Sequence, residues 1–152
     1  MKHILVTTDF SEAAESAFDY AKEQVHLIGK EKCKITLLKV IDVVVSANIN
    51  FEYGLAIADK KNMLNKSHKQ ASEIIKGIAQ EHFAGLSVKT IVLKPSDPVY
   101  MEIIKYAKKQ KVDLIVMSTH GRTGIKHLFL GSVAERIIRQ SPCPVMVVPA
   151  KL

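Results

Sequence analysis

The chain has 152 residues, 47% of them hydrophobic and 24% charged, which is enough to bury the core of one globular domain. Its formal charge of +7 suits anionic partners, but the lysines are spread over helix faces without a nucleic-acid module, so nucleic-acid binding is not favoured. Two cysteines without metal-ligand partners and the lack of a long apolar run argue against a disulfide framework and a membrane span. We therefore predict a single domain over residues 1–152, in a cytoplasmic protein.

Predicted strands and helices alternate along the chain. Short apolar runs indicate the strands, and apolar residues at three- and four-residue spacing indicate the helices. In chain order, we predict a strand at 3–7, a helix between Ser11 and Gly29, a strand at 34–41, a helix from Asp59 to Phe83, a strand at 86–93, a helix from Asp97 to Gln110, a strand at 113–117, a helix at 132–140 and a strand at 144–148. Residues 42–58 have no clear period and are left unassigned.

Three helix starts have recognisable signals. Ser11 is the residue type that caps a helix through its side chain. Asp97-Pro98 combines a capping oxygen with a proline at the first helical position. Ser132 and Glu135 have the spacing of a capping box, which predicts that Ser132 is the cap of the last helix.

This order of elements predicts the fold. Strands built from runs of Ile, Leu and Val favour a parallel sheet with helices on both faces. We predict an α/β protein with a doubly wound five-stranded parallel sheet in the order 3-2-1-4-5 and right-handed crossovers. In that order the first and fourth strands flank the point where the winding reverses, and ligands bind beyond the carboxyl ends of the strands at such a point.

The loops after the first and fourth strands contain the candidate site. Thr7-Thr8-Asp9 follows the first strand, Ser118 to Gly121 follows the fourth, and Gly131-Ser132 opens the last helix. Glycine lets a backbone approach a ligand, and the N–H groups at a helix start carry partial positive charge, so the pattern favours an anion. Neither the P-loop pattern nor the GxGxxG fingerprint occurs, so the residues alone leave the type of anion open.

These motifs resemble those of a known family. The chain resembles the universal stress proteins almost from end to end, through Thr8–Ser11, Val40–Asp42 and Pro144–Val148. The ATP-binding pattern of that family is glycine, two residues, glycine, nine residues, glycine and then serine or threonine. Here the pattern falls on Ser118, Gly121, Gly131 and Ser132, with serine in place of the first glycine. The resemblance implies an adenine nucleotide alpha hydrolase-like fold and ATP, with or without Mg²⁺, as the ligand.

The resemblance also implies which residues bind the nucleotide. The loop around Asp9 and the backbone of Val40 would contact the adenosine part, while residues 118–122 and 131–133 would hold the phosphates. The predicted binding residues are Thr7, Thr8, Asp9, Val40, Ser118, Thr119, His120, Gly121, Arg122, Gly131, Ser132 and Val133. The resemblance further implies a homodimer paired through the last strand, Val145 to Val148, and a nucleotide-dependent stress-response or signalling role with a protein partner that the sequence does not identify.

Plainer interpretations of these residues stay open. Capping alone explains Ser132, a turn or helix entry explains Asp9, and a structural role in its loop explains His120. No acidic residue lies between Ser118 and Gly131, so we predict no catalytic or metal-binding residues and at most weak ATP hydrolysis. The main alternative is a nucleotide-free interaction or chaperone-like module of the same fold, in which segment 42–58 contacts a partner. A third hypothesis is a nucleotidyl or hydrolytic enzyme of the same architecture.

Overall fold

The computed structural model describes residues 1–41, 57–119 and 130–149, with the backbone alone for residues 57–60. In these ranges five strands alternate with four α-helices. Their bounds are β1 Lys2–Thr7, α1 Glu12–Ile28, β2 Cys33–Val40, α2 Ile57–His82, β3 Val88–Leu93, α3 Val99–Lys109, β4 Leu114–Ser118, α4 Ser132–Gln140 and β5 Val145–Val148, with a 3-10 turn at Lys30–Lys32. The predicted order of elements is confirmed. None of the helices in these ranges combines the length and hydrophobicity that crossing a membrane requires.

The strands form one parallel sheet in the order β3-β2-β1-β4-β5, which confirms the predicted topology. Val6 of β1 pairs with Leu37 of β2 on one side and with Val116 of β4 on the other. The chain winds outward from β1 to β3 and then returns to the other side of β1. The winding therefore reverses between β1 and β4, where parallel sheets open a crevice at their carboxyl edge.

Helices cover both faces of the sheet, as predicted. Ile4 and Val6 of β1 belong to a core cluster with α1 and α2, while Leu5 between them belongs to a second cluster with α3 and α4. Successive side chains of a strand point to opposite faces, so one strand contributes to both clusters. These three side chains are no more than 1% exposed, which explains why β1 is a continuous apolar run.

The start and end of α1 agree with the sequence signals. The Ser11 hydroxyl accepts a hydrogen bond from the Ala14 backbone N–H at 3.3 Å, as an N-cap does. Gly29 follows the last helical residue with φ of 100°, a left-handed conformation that glycine adopts without strain. The capped start of α1 follows the loop after β1 directly, so the first turn of this helix lies at the carboxyl edge of the sheet.

The predicted cap of α3 is wrong. Pro98 is the N-cap and Val99 the first helical residue, and Pro98 has no side-chain oxygen to offer. Glu102 reaches back instead, and its carboxylate accepts hydrogen bonds from the backbone N–H groups of Ser96 and Asp97 at 3.0 and 2.9 Å. The Asp97 carboxylate pairs with Lys105. The Glu102 carboxylate therefore orders the two residues before the N-cap, and within the described ranges no side chain caps the helix itself.

The predicted capping box of α4 is also wrong. Gly131 is the N-cap and Ser132 is already helical. The Glu135 backbone N–H donates to the Gly131 carbonyl at 3.0 Å, while the Glu135 carboxylate bonds to Arg139 one turn further on, at 3.1 Å. Glu135 therefore does not reach back to the helix start, and capping does not explain the serine at position 132.

Candidate functional site

A cavity of about 280 Å³ opens at the carboxyl edge of the sheet, where the winding reverses. The ends of β1, β2 and β4 form its floor, and the starts of α3 and α4 form its far wall. Its lining residues are Thr7, Thr8, Asp9, Ala14, Leu38, Lys39, Val40, Val99, Ile103, Met117, Ser118, Thr119, Gly131, Ser132, Val133 and Ala134. Nine of the twelve predicted binding residues are in this set.

The other three predicted residues, His120, Gly121 and Arg122, lie outside the described residues. So does most of the irregular segment 42–58, and its last two residues, 57 and 58, are the first of α2. The structure thus brings together both ends of the glycine pattern, Ser118 and Gly131, on one cavity. The binding roles of all twelve residues stay predictions.

One part of the cavity wall is apolar. Leu38 of β2 and Met117 of β4 are 1% and 5% exposed, and Ile103 of α3 is 3% exposed. Leu38 and Val40 share one face of β2 because they are two residues apart, and Val99 lies one helical turn before Ile103. This part of the cavity can hold a flat apolar group such as an aromatic ring, because its walls offer methyl and methylene surface rather than charge.

The opposite part of the wall is built from the backbone. The Thr119 N–H donates to the Val148 carbonyl at 2.8 Å, which continues the pairing of β4 with β5 beyond Ser118. The Gly131 N–H then donates to the Thr119 carbonyl at 2.9 Å. This bond joins the two ends of the segment that connects β4 to α4, so Ser118, Thr119 and Gly131 meet at the cavity.

Glycine at position 131 is explained by close approach rather than by an unusual dihedral angle. Its φ is −57°, which any residue adopts, but a Cβ there would lie 2.9 Å from the Thr119 carbonyl oxygen. Such a contact is shorter than carbon and oxygen tolerate, so a side chain would push the two backbones apart. The third glycine of the family pattern is therefore required for the shape of this wall.

The start of α4 gives the cavity its electrostatic character. Gly131 carries no side chain to cap the helix, and Ser132 and Val133, the first two helical residues, line the cavity. The N–H groups of a first helical turn have no partner inside the helix and carry partial positive charge. An anion is stabilised at such a position, so this end suits a phosphate or carboxylate group.

Asp9 has a structural role in the turn that leads into α1, and it also lines the cavity. Its Oδ1 accepts hydrogen bonds from the Ser11 backbone N–H at 3.0 Å and from the Ser11 hydroxyl at 2.5 Å. The Thr8 hydroxyl accepts from the Phe10 backbone N–H at 3.0 Å. These bonds order the turn between β1 and α1, and both contacts to the Asp9 carboxylate use the same oxygen.

The sequence reasoning missed seven lining residues, most of them apolar. They are Ala14, Leu38, Lys39, Val99, Ile103, Met117 and Ala134. Alternation along β2 and the turn-long spacing of Val99 and Ile103 were visible signals for part of this wall. No group of three or more His, Cys, Asp or Glu side chains within the described ranges is placed to hold a metal ion.

The fold and the cavity together define a class of protein. A five-stranded parallel sheet in the order 3-2-1-4-5, with helices on both faces and a cavity at the reversal point, is the adenine nucleotide alpha hydrolase-like arrangement. The profile of the universal stress protein family matches residues 1–149. The chain therefore belongs to the universal stress protein family.

Known relatives agree in sequence and in structure. Universal stress protein MJ0577 of Methanocaldococcus jannaschii is 35% identical over 162 residues, covering 99% of this chain and 96% of the relative. Its solved structure superposes with a TM-score of 0.79 and 34% identity, covering 99% of this chain and 97% of that one. Universal stress protein MJ0531 of the same organism is 32% identical, covering 97% of this chain and 81% of the relative.

More distant structures share the fold. A universal stress protein from Archaeoglobus fulgidus in complex with dAMP is 19% identical with a TM-score of 0.60, covering 97% of this chain and 98% of that one. A family member from Arabidopsis thaliana with AMP bound has the same identity and TM-score, covering 99% of this chain and 93% of that one. These two structures contain adenine nucleotides.

Proposed function

We propose that this universal stress protein binds an adenine nucleotide, specifically ATP, in the cavity at the carboxyl edge of its sheet. Nucleotide occupancy would then act as a signal to a protein partner during stress. One observation carries the proposal: a single cavity has an apolar part and a part lined by the amides of a helix start. Residues of the family's ATP pattern lie next to each part. A nucleotide has the same division between base and phosphates.

The apolar part suits the adenine ring. Leu38, Ile103 and Met117 are buried and offer a dry surface against which a ring can pack. Burying apolar surface is favourable by roughly 25 cal/mol per Å², so a ring held there contributes strongly to affinity. The bound dAMP and AMP of the two distant relatives support an adenine ligand, and the resemblance assigns the adenine edge to the Val40 backbone.

The backbone part suits the phosphates. The N–H groups of Ser132 and Val133 stand at the start of α4, where partial positive charge favours an anion. The close approach of Gly131 to the Thr119 carbonyl leaves no room for a Cβ at position 131, so backbone atoms form this part of the wall. In this proposal Ser118 contributes its backbone, and Gly121 and Arg122 complete the phosphate contacts, with or without Mg²⁺.

The proposal describes a binding protein with at most slow ATP hydrolysis. No acidic residue lies between Ser118 and Gly131, and Oδ1 of Asp9 is bonded to Ser11. Attack on a γ-phosphate needs a positioned water and usually a carboxylate-held metal. We further propose a cytoplasmic homodimer through β5, an edge strand of this sheet, because an edge strand offers unpaired backbone groups to a second copy.

The first experiment asks whether the protein binds the ligand at all. The purified chain is denatured and any released small molecule is identified by mass spectrometry. The refolded, ligand-free protein is then titrated calorimetrically with ATP, AMP and adenosine, each with and without Mg²⁺. We expect all three to bind and ATP to bind most tightly, because only ATP reaches the full set of amides.

Two matched glycine variants test where the nucleotide binds. Gly131→Ala places a Cβ 2.9 Å from the Thr119 carbonyl, whereas Gly77→Ala in α2 places one in open space. We expect Gly131→Ala to weaken ATP by at least about tenfold, roughly the effect of losing one good charge-assisted contact, and Gly77→Ala to leave affinity unchanged. Circular dichroism of both variants checks the fold. Equal affinity in the two variants, or a wild type that binds no adenine nucleotide, would contradict the proposal.

A further inference from the structure

Lys39 is a buried cation beside the proposed site. Only 8% of the residue is exposed, although a lysine is seldom buried without compensation. Lys39 lies on β2 between Leu38 and Val40, which belong to the core cluster of α3 and α4. Because side chains alternate along a strand, the Lys39 side chain points to the opposite face of the sheet. Lys39 itself is among the residues that line the cavity, but its side chain leaves the strand on the face opposite to the side chains of Leu38 and Val40.

Two contacts of Lys39 are with the turn that follows β1. Its Nζ lies 5.1 Å from the centroid of the Phe10 ring, within the range of a cation–π interaction. The same Nζ donates to the Asp9 backbone carbonyl at 3.5 Å. The cation thus contacts two consecutive residues of a turn whose Asp9 lines the cavity.

That turn is strained. Phe10 has φ of 70°, a left-handed conformation that residues with a Cβ rarely adopt. Strained backbone persists only where its surroundings hold it, and it concentrates at functional sites. Here the Thr8 hydroxyl accepts from the Phe10 N–H, the Phe10 ring packs against the core cluster of α1 and α2, and Lys39 lies over the ring.

We infer that Lys39 is a positioning residue for the proposed nucleotide site: it holds Phe10 in its strained conformation and so fixes Asp9 at the cavity. The inference rests on the proposed function. It predicts that Lys39 affects binding of the adenosine part, which the resemblance assigns to the Asp9 turn, rather than binding of the phosphates, because its ammonium group contacts Asp9 and Phe10. A cation that contacted the phosphates would instead affect binding of the phosphates and not binding of the adenosine part.

The test compares Lys39→Met with Lys34→Met, a matched change of an exposed lysine near the other end of the same strand. Calorimetry measures the affinity of each variant for adenosine and for ATP at low and high salt. We expect Lys39→Met to weaken both ligands by the same factor, about five- to tenfold, at either salt concentration. Lys34→Met keeps wild-type affinity, and Lys39→Arg, which retains a cation for the ring, stays within about twofold of the wild type.

A double-mutant cycle tests the coupling to Phe10. If Lys39 acts through the ring, Phe10→Leu weakens binding by a similar factor, and adding Lys39→Met to Phe10→Leu costs much less than Lys39→Met alone. Amide hydrogen exchange of the ligand-free protein gives an independent readout. We expect faster exchange at Phe10 and Ser11 in Lys39→Met, because both amides donate within this turn, and unchanged rates in Lys34→Met.

Three results would overturn the inference. They are unchanged adenosine affinity with unchanged exchange in Lys39→Met, a loss confined to ATP that shrinks as salt rises, and additive effects in the cycle. The second would make Lys39 a phosphate contact. If the wild type binds none of the ligands, the proposed function fails, and the exchange measurement then decides whether Lys39 holds the turn.

Discussion

The two ends of the parallel sheet use polar residues differently. At the amino end, His3 is 3% exposed, and its ring lies between Thr36 and the end of α3. Its Nε2 is 2.8 Å from the Thr36 hydroxyl and its Nδ1 is 3.3 Å from the Gln110 carbonyl, while the His3 backbone N–H donates to Asp113 at 2.8 Å. A carbonyl only accepts, so Nδ1 is the donor and Nε2 of the neutral ring accepts from Thr36.

At the carboxyl end, the polar groups surround an open cavity. Thr7, Asp9 and Ser132 line it together with the backbone of Gly131. The amino end closes on itself and stabilises the fold, whereas the carboxyl end keeps space for a ligand. This difference teaches that a cluster of polar residues near a sheet edge indicates a site only where its shape leaves a cavity. Each end should therefore respond to substitution in its own way.

The largest expected effect is a loss of stability at the amino end. Asp113→Ala removes the acceptor of the His3 backbone N–H and the partner of Lys2. We expect the free energy of unfolding to fall by about 2 kcal/mol, since a bond to a charged acceptor is lost near a buried group. Urea denaturation measures the loss, and ATP titration should show unchanged affinity. A drop in affinity as large as the drop in stability would break the distinction between the two ends.

The next effect is the reverse, a loss of affinity without a loss of stability. Ser132→Asp puts a carboxylate at the first helical position of α4, where the helix dipole favours it by about 0.5 kcal/mol. The same charge repels a phosphate, so we expect ATP affinity to fall roughly tenfold and adenosine affinity to stay unchanged. Denaturation and calorimetry on one preparation measure both. Weaker adenosine binding, or lower stability, would contradict this assignment of α4.

A smaller effect concerns pH. Burial lowers the pKa of His3 below its ordinary 6.5, and Lys34 and Lys89 act in the same direction, against the Gln110 carbonyl and Asp113. Between the folded pKa and 6.5 the unfolded chain binds more protons, so stability falls as pH falls through 6.5. The pKa of Asp113 is itself lowered from 3.8, chiefly by the hydrogen bond from the His3 backbone, so the Asp113 contribution is lost only at more acidic pH.

His3→Gln tests this assignment. In the wild type, His3 causes part of the decrease in stability between about pH 7 and 5, and this part should be absent in the variant. The ATP affinity of the variant should keep its wild-type pH dependence. His26→Gln, which changes an exposed ring on α1, is the control and should retain the decrease. Thermal denaturation over a pH series measures both variants. Identical curves for His3→Gln and the wild type would show that the amino end does not depend on a neutral ring.

The smallest expected effect is that of an exposed ion pair. The Lys2 Nζ lies 3.1 Å from the Asp113 Oδ1, and the two side chains are 62% and 37% exposed. Such pairs contribute less than about 1 kcal/mol, so Lys2→Met should lower the free energy of unfolding by about 0.5 kcal/mol or less. Comparison with Asp113→Ala by urea denaturation separates the ion pair from the backbone hydrogen bond. Equal losses would assign the effect to the ion pair.

Sequence by itself determined the order of elements and the strand order of the sheet. Hydrophobic periodicity is a local property of the chain, and the rules for parallel crossovers leave few arrangements for five such strands. The loops after β1 and β4, together with Gly131 at the start of α4, could be placed at one edge for the same reason. Helix caps were less predictable, because the Asp97 carboxylate pairs with Lys105 of the helix, a contact that the local cap signal does not show.

Only the tertiary structure decided the shape of the site. That Ile103 of α3 meets Leu38 of β2 across the cavity depends on how a helix packs on the sheet, which no local pattern specifies. The same holds for Lys39, whose contact with Phe10 joins β2 to the turn after β1, two segments that are distant in sequence. Local periodicity fixes which residues are buried, but contacts between elements depend on the packing of all of them together, and a binding cavity is made of such contacts.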